Sequence, residues 1–280
     1  MADKFSNSWF YNSGKLTVPD GEMANQDINY IQPSGTSRVD VKIKNSSGTV
    51  TTNQMALNAS ALTAGSVIFS DSNGKLSQDN ANLFFDDALN QLRVGTTTNF
   101  IKMDGSGVTL GGTARTTKTI SVDGGDFVVT TSNPASEVIL NNFTLIYLCN
   151  PTVLSQVYSS FVIPDDYENG TNLTWSPVWA TYSGGTGNCY WGLDYKVVRK
   201  NASQTIGGTP TTLTSIQAGS GVANRLQANT PVTVNGASFQ AGDIFFFRAY
   251  RLGTSGSDTF ADRALLVAYQ FEYTSNKLGG

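Results

Sequence analysis

Residues 65–95, GSVIFSDSNGKLSQDNANLFFDDALNQLRVG, decide how this chain is read. Val67-Ile68-Phe69 is a strand of buried type. It runs into Asp71-Ser72-Asn73-Gly74, where Asn-Gly supplies the positive φ of a tight hairpin. Leu76, an Asp79-Asn80 break, Leu83-Phe84-Phe85, an Asp86-Asp87 break and Leu92-Arg93-Val94-Gly95 follow in quick succession. Each strand is a few residues long and buries little by itself. Such strands become stable when several chains stack them, so the stretch predicts an all-β protein that associates.

The composition agrees. Charged residues make up 14% of the 280, well below the usual quarter of a soluble domain, and Thr, Ser, Asn and 28 glycines take their place. Thr is stiff at Cβ while Asn and Gly end helices, which favours strands and turns. With 39% hydrophobic residues, among them 15 Phe, 11 Tyr and 4 Trp, the chain can fill a core. The net charge of −3 and the scattered Lys and Arg exclude a phosphate-tracking patch, so nucleic acid is not an expected partner. No apolar run reaches the ~20 residues that cross a bilayer, and MADKFSNSWF lacks the features of a signal peptide.

Three regions follow along the chain. Residues 1–60 read as a strand-and-loop region with an aromatic anchor, Trp9-Phe10-Tyr11, and one clear strand, Arg38–Lys44, alternating Val39, Val41 and Ile43 with charged residues. Residues 61–149 read as a ladder of short strands with Gly turns, a shaft or neck. Residues 150–280 read as a separate two-sheet sandwich or jelly roll. There Cys189, Trp191, Leu193, Tyr195 and Val197 alternate with Tyr190, Gly192, Asp194 and Lys196. Ile244-Phe245-Phe246-Phe247 is apolar on both faces, as in a doubly covered strand. The last strand puts Leu265, Val267, Tyr269, Phe271 and Tyr273 on one side.

Histidine is absent, which removes Ser-His-Asp and Cys-His catalysis and every His-ligated metal or haem site. Asp86-Asp87, Asp165-Asp166, and Asp258 with Asp262 are the remaining carboxylate pairs. Neighbours on a strand point to opposite faces and these lie beside turns, so turn chemistry is their expected work. Asp71-Ser72-Asn73-Gly74 opens like a calcium loop but places Leu76 and Asn82 where Gly and Glu are required. No cofactor and no metal is expected. Cys149 and Cys189 leave two readings open, buried thiols or one bridge. For sugar contact, Trp175, Tyr182 and Tyr190 near the Ser183–Gly187 loop are the candidates, because loops on a rigid sandwich carry binding and sugars stack on aromatic faces.

Gly65 to Phe69, Gly74, Leu76 to Asp86 and Leu92 to Thr96 resemble a module common in tail-fibre and virion-surface proteins of bacterial viruses. The second half is similar to the C-terminal jelly rolls of phage fibres and spikes, of tumour-necrosis-factor-like plan. It does so through Phe161–Tyr167, Gly170-Thr171, Trp191–Tyr195, Gly242-Asp243, Arg248, Arg251, Asp258-Thr259 and Ala264–Tyr273. The resemblance implies a non-enzymatic homotrimer on the virion surface, assembled in the host cytoplasm, either a head fibre or decoration or a short tail fibre. Trp9, Phe10 and Tyr11 would dock on a capsid, portal or tail protein. Phe69, Phe84, Phe85, Phe245, Phe246 and Phe247 would pack the trimer, and the head would contact a host glycan. The competing expectations are a carbohydrate-active enzyme and a monomeric carbohydrate-binding module.

Overall fold

Short apolar alternations punctuated by Gly, Asn and Asp form antiparallel sheets in the computed structural model, and the chain is all-β with a jelly-roll-type sandwich. The structure describes residues 28–33, 38–44, 47, 49–56, 63–70, 72, 76–140 and 144–278. Two units divide the chain, Met1–Ser106 and Gly107–Gly280.

In the first unit β1 (Ile28–Pro33), β2 (Arg38–Lys44) and β3 (Val50–Ala56) make an antiparallel meander, β2 spanning the residues its alternation predicts. β4 (Ile68–Ser70) and β5 (Leu76–Gln78) form the expected hairpin, with Asp71 and Asn73–Lys75 outside the described residues. A second meander joins β6 (Leu83–Asp86), β7 (Gln91–Gly95) and β8 (Phe100–Asp104). Acidic residues make the turns before, within and after it, and Thr96 holds the β7–β8 turn. Asp79 accepts from the Asn82 N–H at 3.2 Å, Asp86 from Leu89 at 3.2 Å and Asp104 from Ser106 at 2.8 Å. Asn90 takes φ 49° to close the β6–β7 turn, a conformation Asn tolerates.

Strand register collects Leu83, Phe85, Leu92, Val94, Ile101 and Met103 on one face of this meander. That face has little cover: Phe85 is 37% exposed, Ile101 38%, Met103 41% and Val94 43%. Across residues 77–106 of this unit every residue is exposed or half-buried.

The second unit supplies the core. One sheet holds β11 (Ser136–Leu140), β12 (Thr144–Cys149), β20 (Ala264–Ser275) and β14 (Leu173–Thr181) in that order. β10 (Thr116–Asp123) shares the β20 edge with β12. Thus β10, β11 and β12, assigned to the neck by sequence, belong to the sandwich, because Ile120 and Val122 turn inward along β20. β17 (Leu226–Ala228) and β18 (Val232–Val234) share the other edge of β14. They sit on either side of Pro177, whose nitrogen has no proton to donate there. The opposing sheet runs β13 (Leu154–Val162), β19 (Ile244–Leu252), β15 (Asn188–Val198), β16 (Thr211–Ala218). β9 (Gly107–Gly111) pairs with β21 (Lys277–Leu278), outside both of these sheets.

Aromatic rings join the two layers. Phe245 stacks on Tyr195 at 5.0 Å and on Phe161 at 4.8 Å, and meets Phe271 of the other sheet at 5.2 Å. Trp179 meets Trp191 across the gap at 5.8 Å. The inward set of β20 is Ala264, Leu266, Tyr269, Phe271 and Tyr273. Leu265 and Val267, expected beside Tyr269, turn to the sheet's other face, where Leu265 is buried in a second apolar cluster with Ile146 and Ala180. A bulge opposite Val178 and Trp179 inserts one residue into β20 and reverses the faces beyond it.

Two buried charges tie loops to this core. Arg251 is fully buried with Asp258, its Nε and Nη2 on the two carboxylate oxygens at 2.9 and 2.8 Å. Its Nη1 donates to the carbonyls of Cys149 at 3.2 Å and Asp262 at 2.7 Å, and Nη2 also reaches the Phe260 carbonyl. Cys149 and Cys189 lie buried and unbridged, so the thiol reading holds. Burial pushes the Cys149 thiol up to about 12, against the opposing pull of Arg251.

Asp166 receives Lys118 Nζ at 2.5 Å, Ser275 Oγ at 2.7 Å and the Tyr273 hydroxyl at 2.8 Å. Burial pushes its carboxyl up, but these hydrogen bonds outweigh it and hold the group below its ordinary value. A depressed folded pKa gives stability that is present above the unfolded pKa of about 4 and is lost as pH falls through the folded value. Asp166→Asn is therefore expected to be less stable than wild type in urea at pH 7. The gap should shrink steadily below about pH 4, and a gap constant with pH would contradict this.

Candidate functional site

The outer face of the β13-β19-β15-β16 sheet carries a solvent-open cleft of about 570 Å³, within the range of ligand sites. Strand alternation explains its lining. Where Phe245, Phe247, Leu193 and Tyr195 point into the core, their neighbours Phe246, Arg248, Asp194 and Lys196 point out. Register then aligns Tyr158, Arg248, Asp194 and Thr212 in one row, and Ser160, Phe246 and Lys196 in the next.

The central row is held in place. Arg248 Nη2 pairs with Asp194 Oδ2, and Nη1 donates to Gln156 Oε1 at 3.1 Å. Thr212 Oγ1 donates to Asp194 Oδ1 at 2.7 Å. The Arg248 guanidinium lies 4.7 Å over the Tyr250 ring, which in turn lies against Gly192. A Cβ on Gly192 would stand 2.1 Å from that ring, so only glycine admits it. Burial, then the charge of Asp194, pushes the Tyr250 phenol up to about 12.

Two segments wall the cleft. Val128 comes from an extended stretch exchanging backbone hydrogen bonds with Tyr158 at 2.8 Å. Ile206, Gly208 and Pro210 come from the β15–β16 connection, pinned where Lys196 Nζ donates to the Gly207 carbonyl. Among the described residues Asp194 is the one carboxylate in the lining, and both of its oxygens are engaged. The arrangement sets fixed donors beside the aromatic faces of Tyr158 and Phe246.

The residues expected from sequence fall in different places. Trp9, Phe10 and Tyr11 lie outside the described residues. Trp175 is a correction: it is wholly buried against Tyr269 at 5.2 Å and offers no face to a glycan. Tyr182 is 46% exposed beside the Ser183–Gly187 loop, whose N–H groups at Ser183 and Gly185 are held by Asp262 at 2.7 and 3.4 Å. Burial pushes the Asp262 carboxyl up, but those N–H groups and that of Arg263 hold it below its ordinary range. Tyr190 shares the outer face with the cleft but lies beyond Gly192, outside the lining.

Phe245 and Phe247 are a second correction, since both fill the core of one chain and leave nothing for a trimer contact. Phe246 lines the cleft. Phe85 belongs to the open apolar face, Phe69 is 38% exposed, and Phe84 packs on Gly65 with Arg93 5.6 Å over its ring. The alternation of Tyr190, Gly192, Asp194 and Lys196 marked an outer face. Nothing in the sequence set Tyr158 and Arg248 beside it, because long-range register did that.

No protein-family model and no curated protein matches the chain. Among solved structures it is similar to the CBM35 from Cellvibrio japonicus Abf62, with 11% identity, 58% of this chain and 100% of that one covered, and a TM-score of 0.34. It is also similar to the exo-β-1,3-galactanase Pc1,3Gal43A from Phanerochaete chrysosporium. Identity there is 14%, coverage 84% of this chain and 40% of that one, and the TM-score 0.30. A structure of infectious bursal disease virus Gx strain matches at 10% identity over 86% of this chain and 64% of that one, TM-score 0.31. At this level none of them carries a function to this chain.

Proposed function

We propose that this chain is a non-enzymatic surface protein of a bacterial virus particle, a homotrimeric fibre or spike whose sandwich contacts a host glycan. The observation that carries the reading is the apolar face of Leu83, Phe85, Leu92, Val94, Ile101 and Met103, in a stretch, residues 77–106, without a buried residue. An apolar sheet face this open needs cover, and further copies of the same chain supply it symmetrically. Leu83, Phe85, Leu92 and Val94 of the face fall within the stretch that resembles phage fibre modules, and Phe85 is one of the residues expected to pack the trimer. Residues 1–60 would attach the fibre to the particle.

The expected mass in light scattering is three times the 29.9 kDa of one chain. Ile101→Glu, on the open face, is expected to release monomer. A wild-type chain that runs as a monomer overturns the proposal and favours the second reading, a monomeric carbohydrate-binding module, which the cleft supports. An enzyme has less support. Asp166, Asp258 and Asp262 are spent on Lys118, Arg251 and loop N–H groups, and the cleft lacks the second carboxylate of a glycosidase.

A further inference from the structure

The cleft differs from the rest of the chain in charge. Arg248 is matched by Asp194, but Lys196 has no carboxylate within ion-pair distance among the described residues. One positive charge thus stands beside Phe246 and Tyr158 in a chain whose net charge is −3. The Gly207 carbonyl takes one ammonium proton and orients the group, leaving two donors for a ligand. Val128, Ile206 and Pro210 add exposed apolar walls to the cleft, where a charge-assisted hydrogen bond is still the stronger kind.

We propose that the cleft binds an acidic saccharide, a pyranose bearing a carboxylate. The C–H face of the sugar lies on Phe246 and Tyr158, its carboxylate takes Lys196, and its hydroxyls take the Arg248–Asp194–Thr212 row. This deepens the glycan-contact reading and rests on it, since it names the ligand class of the same surface.

The test is affinity electrophoresis of the full-length chain through native gels containing alginate, polygalacturonate, hyaluronate or polysialate, with dextran and laminarin as neutral comparisons. At least one acidic polymer is expected to retard the wild type. Lys196→Gln should weaken that binding about tenfold, and Lys196→Arg should retain most of it. Phe246→Ala, which removes no charge, should weaken it as well. Failure of all four acidic polymers, retardation by neutral polymers alone, or wild-type binding by both the Gln and Ala variants overturns the inference. Light scattering on the same sample separates the two readings. A trimer that no acidic polymer retards overturns the ligand class alone, and a retarded monomer overturns the fibre alone.

Discussion

Arg251→Ala is expected to destabilise the Gly107–Gly280 unit by about 3–5 kcal/mol, the range for removing one partner from a buried ion pair. The reason lies in what stays behind. Asp258 is as fully buried as Arg251, and without the guanidinium its carboxylate keeps only N–H partners at Tyr190 and Phe260. The carbonyls of Cys149, Phe260 and Asp262 lose a shared donor at the same time, so the ends of β12 and β19 and the loop before β20 come apart together. For a unit of this size the loss corresponds to a fall of roughly 6–20 °C in Tm. Trp175, Trp179 and Trp191 are all buried there, so their fluorescence reports it. Lysine at 251 should rescue little, since a single ammonium cannot span a carboxylate and three carbonyls. Arg251→Met combined with Asp258→Leu should recover much of the loss by removing both charges. A single alanine variant that melts with the wild type would refute the clamp.

The second large effect is a contrast between adjacent residues. Phe245→Ala should cost about 3–5 kcal/mol, the usual range for a buried phenylalanine. Phe246→Ala should stay within about 1 kcal/mol, as a partly exposed position away from the core. Phe245 loses ring contacts to Tyr195, Phe161 and Phe271, whereas Phe246 loses one wall of an open cleft. Urea titrations of the two variants side by side decide the matter. Equal costs would mean that both faces of β19 are covered, as the bare sequence of four apolar residues suggests.

That contrast also marks what the sequence can tell. Period-two alternation made β2 and the inward face of β15 readable, because each has one polar and one apolar side. It could not orient Ile244–Phe247, where both sides are apolar, so Phe245 and Phe247 looked as ready for a neighbour's surface as Phe246. It misplaced Leu265 and Val267 because a bulge opposite Val178 shifts the strand by one residue, and a bulge leaves no compositional mark. Trp175 reads as surface-ready only while the sheet over it is unknown. The cleft was half legible, its β15 side from alternation, its β13 and β19 sides only from register.

The two cysteines have a consequence of their own. Cys149 and Cys189 are buried, unbridged and held as neutral thiols, since burial pushes both up. The sandwich therefore contains no bond that a reducing compartment would break. Its sulfurs, kept from ionising, give an oxidising one little to attack. The sandwich is thus held by packing, hydrogen bonds and ion pairs alone, and adding or removing a thiol reductant is expected to leave its Tm unchanged.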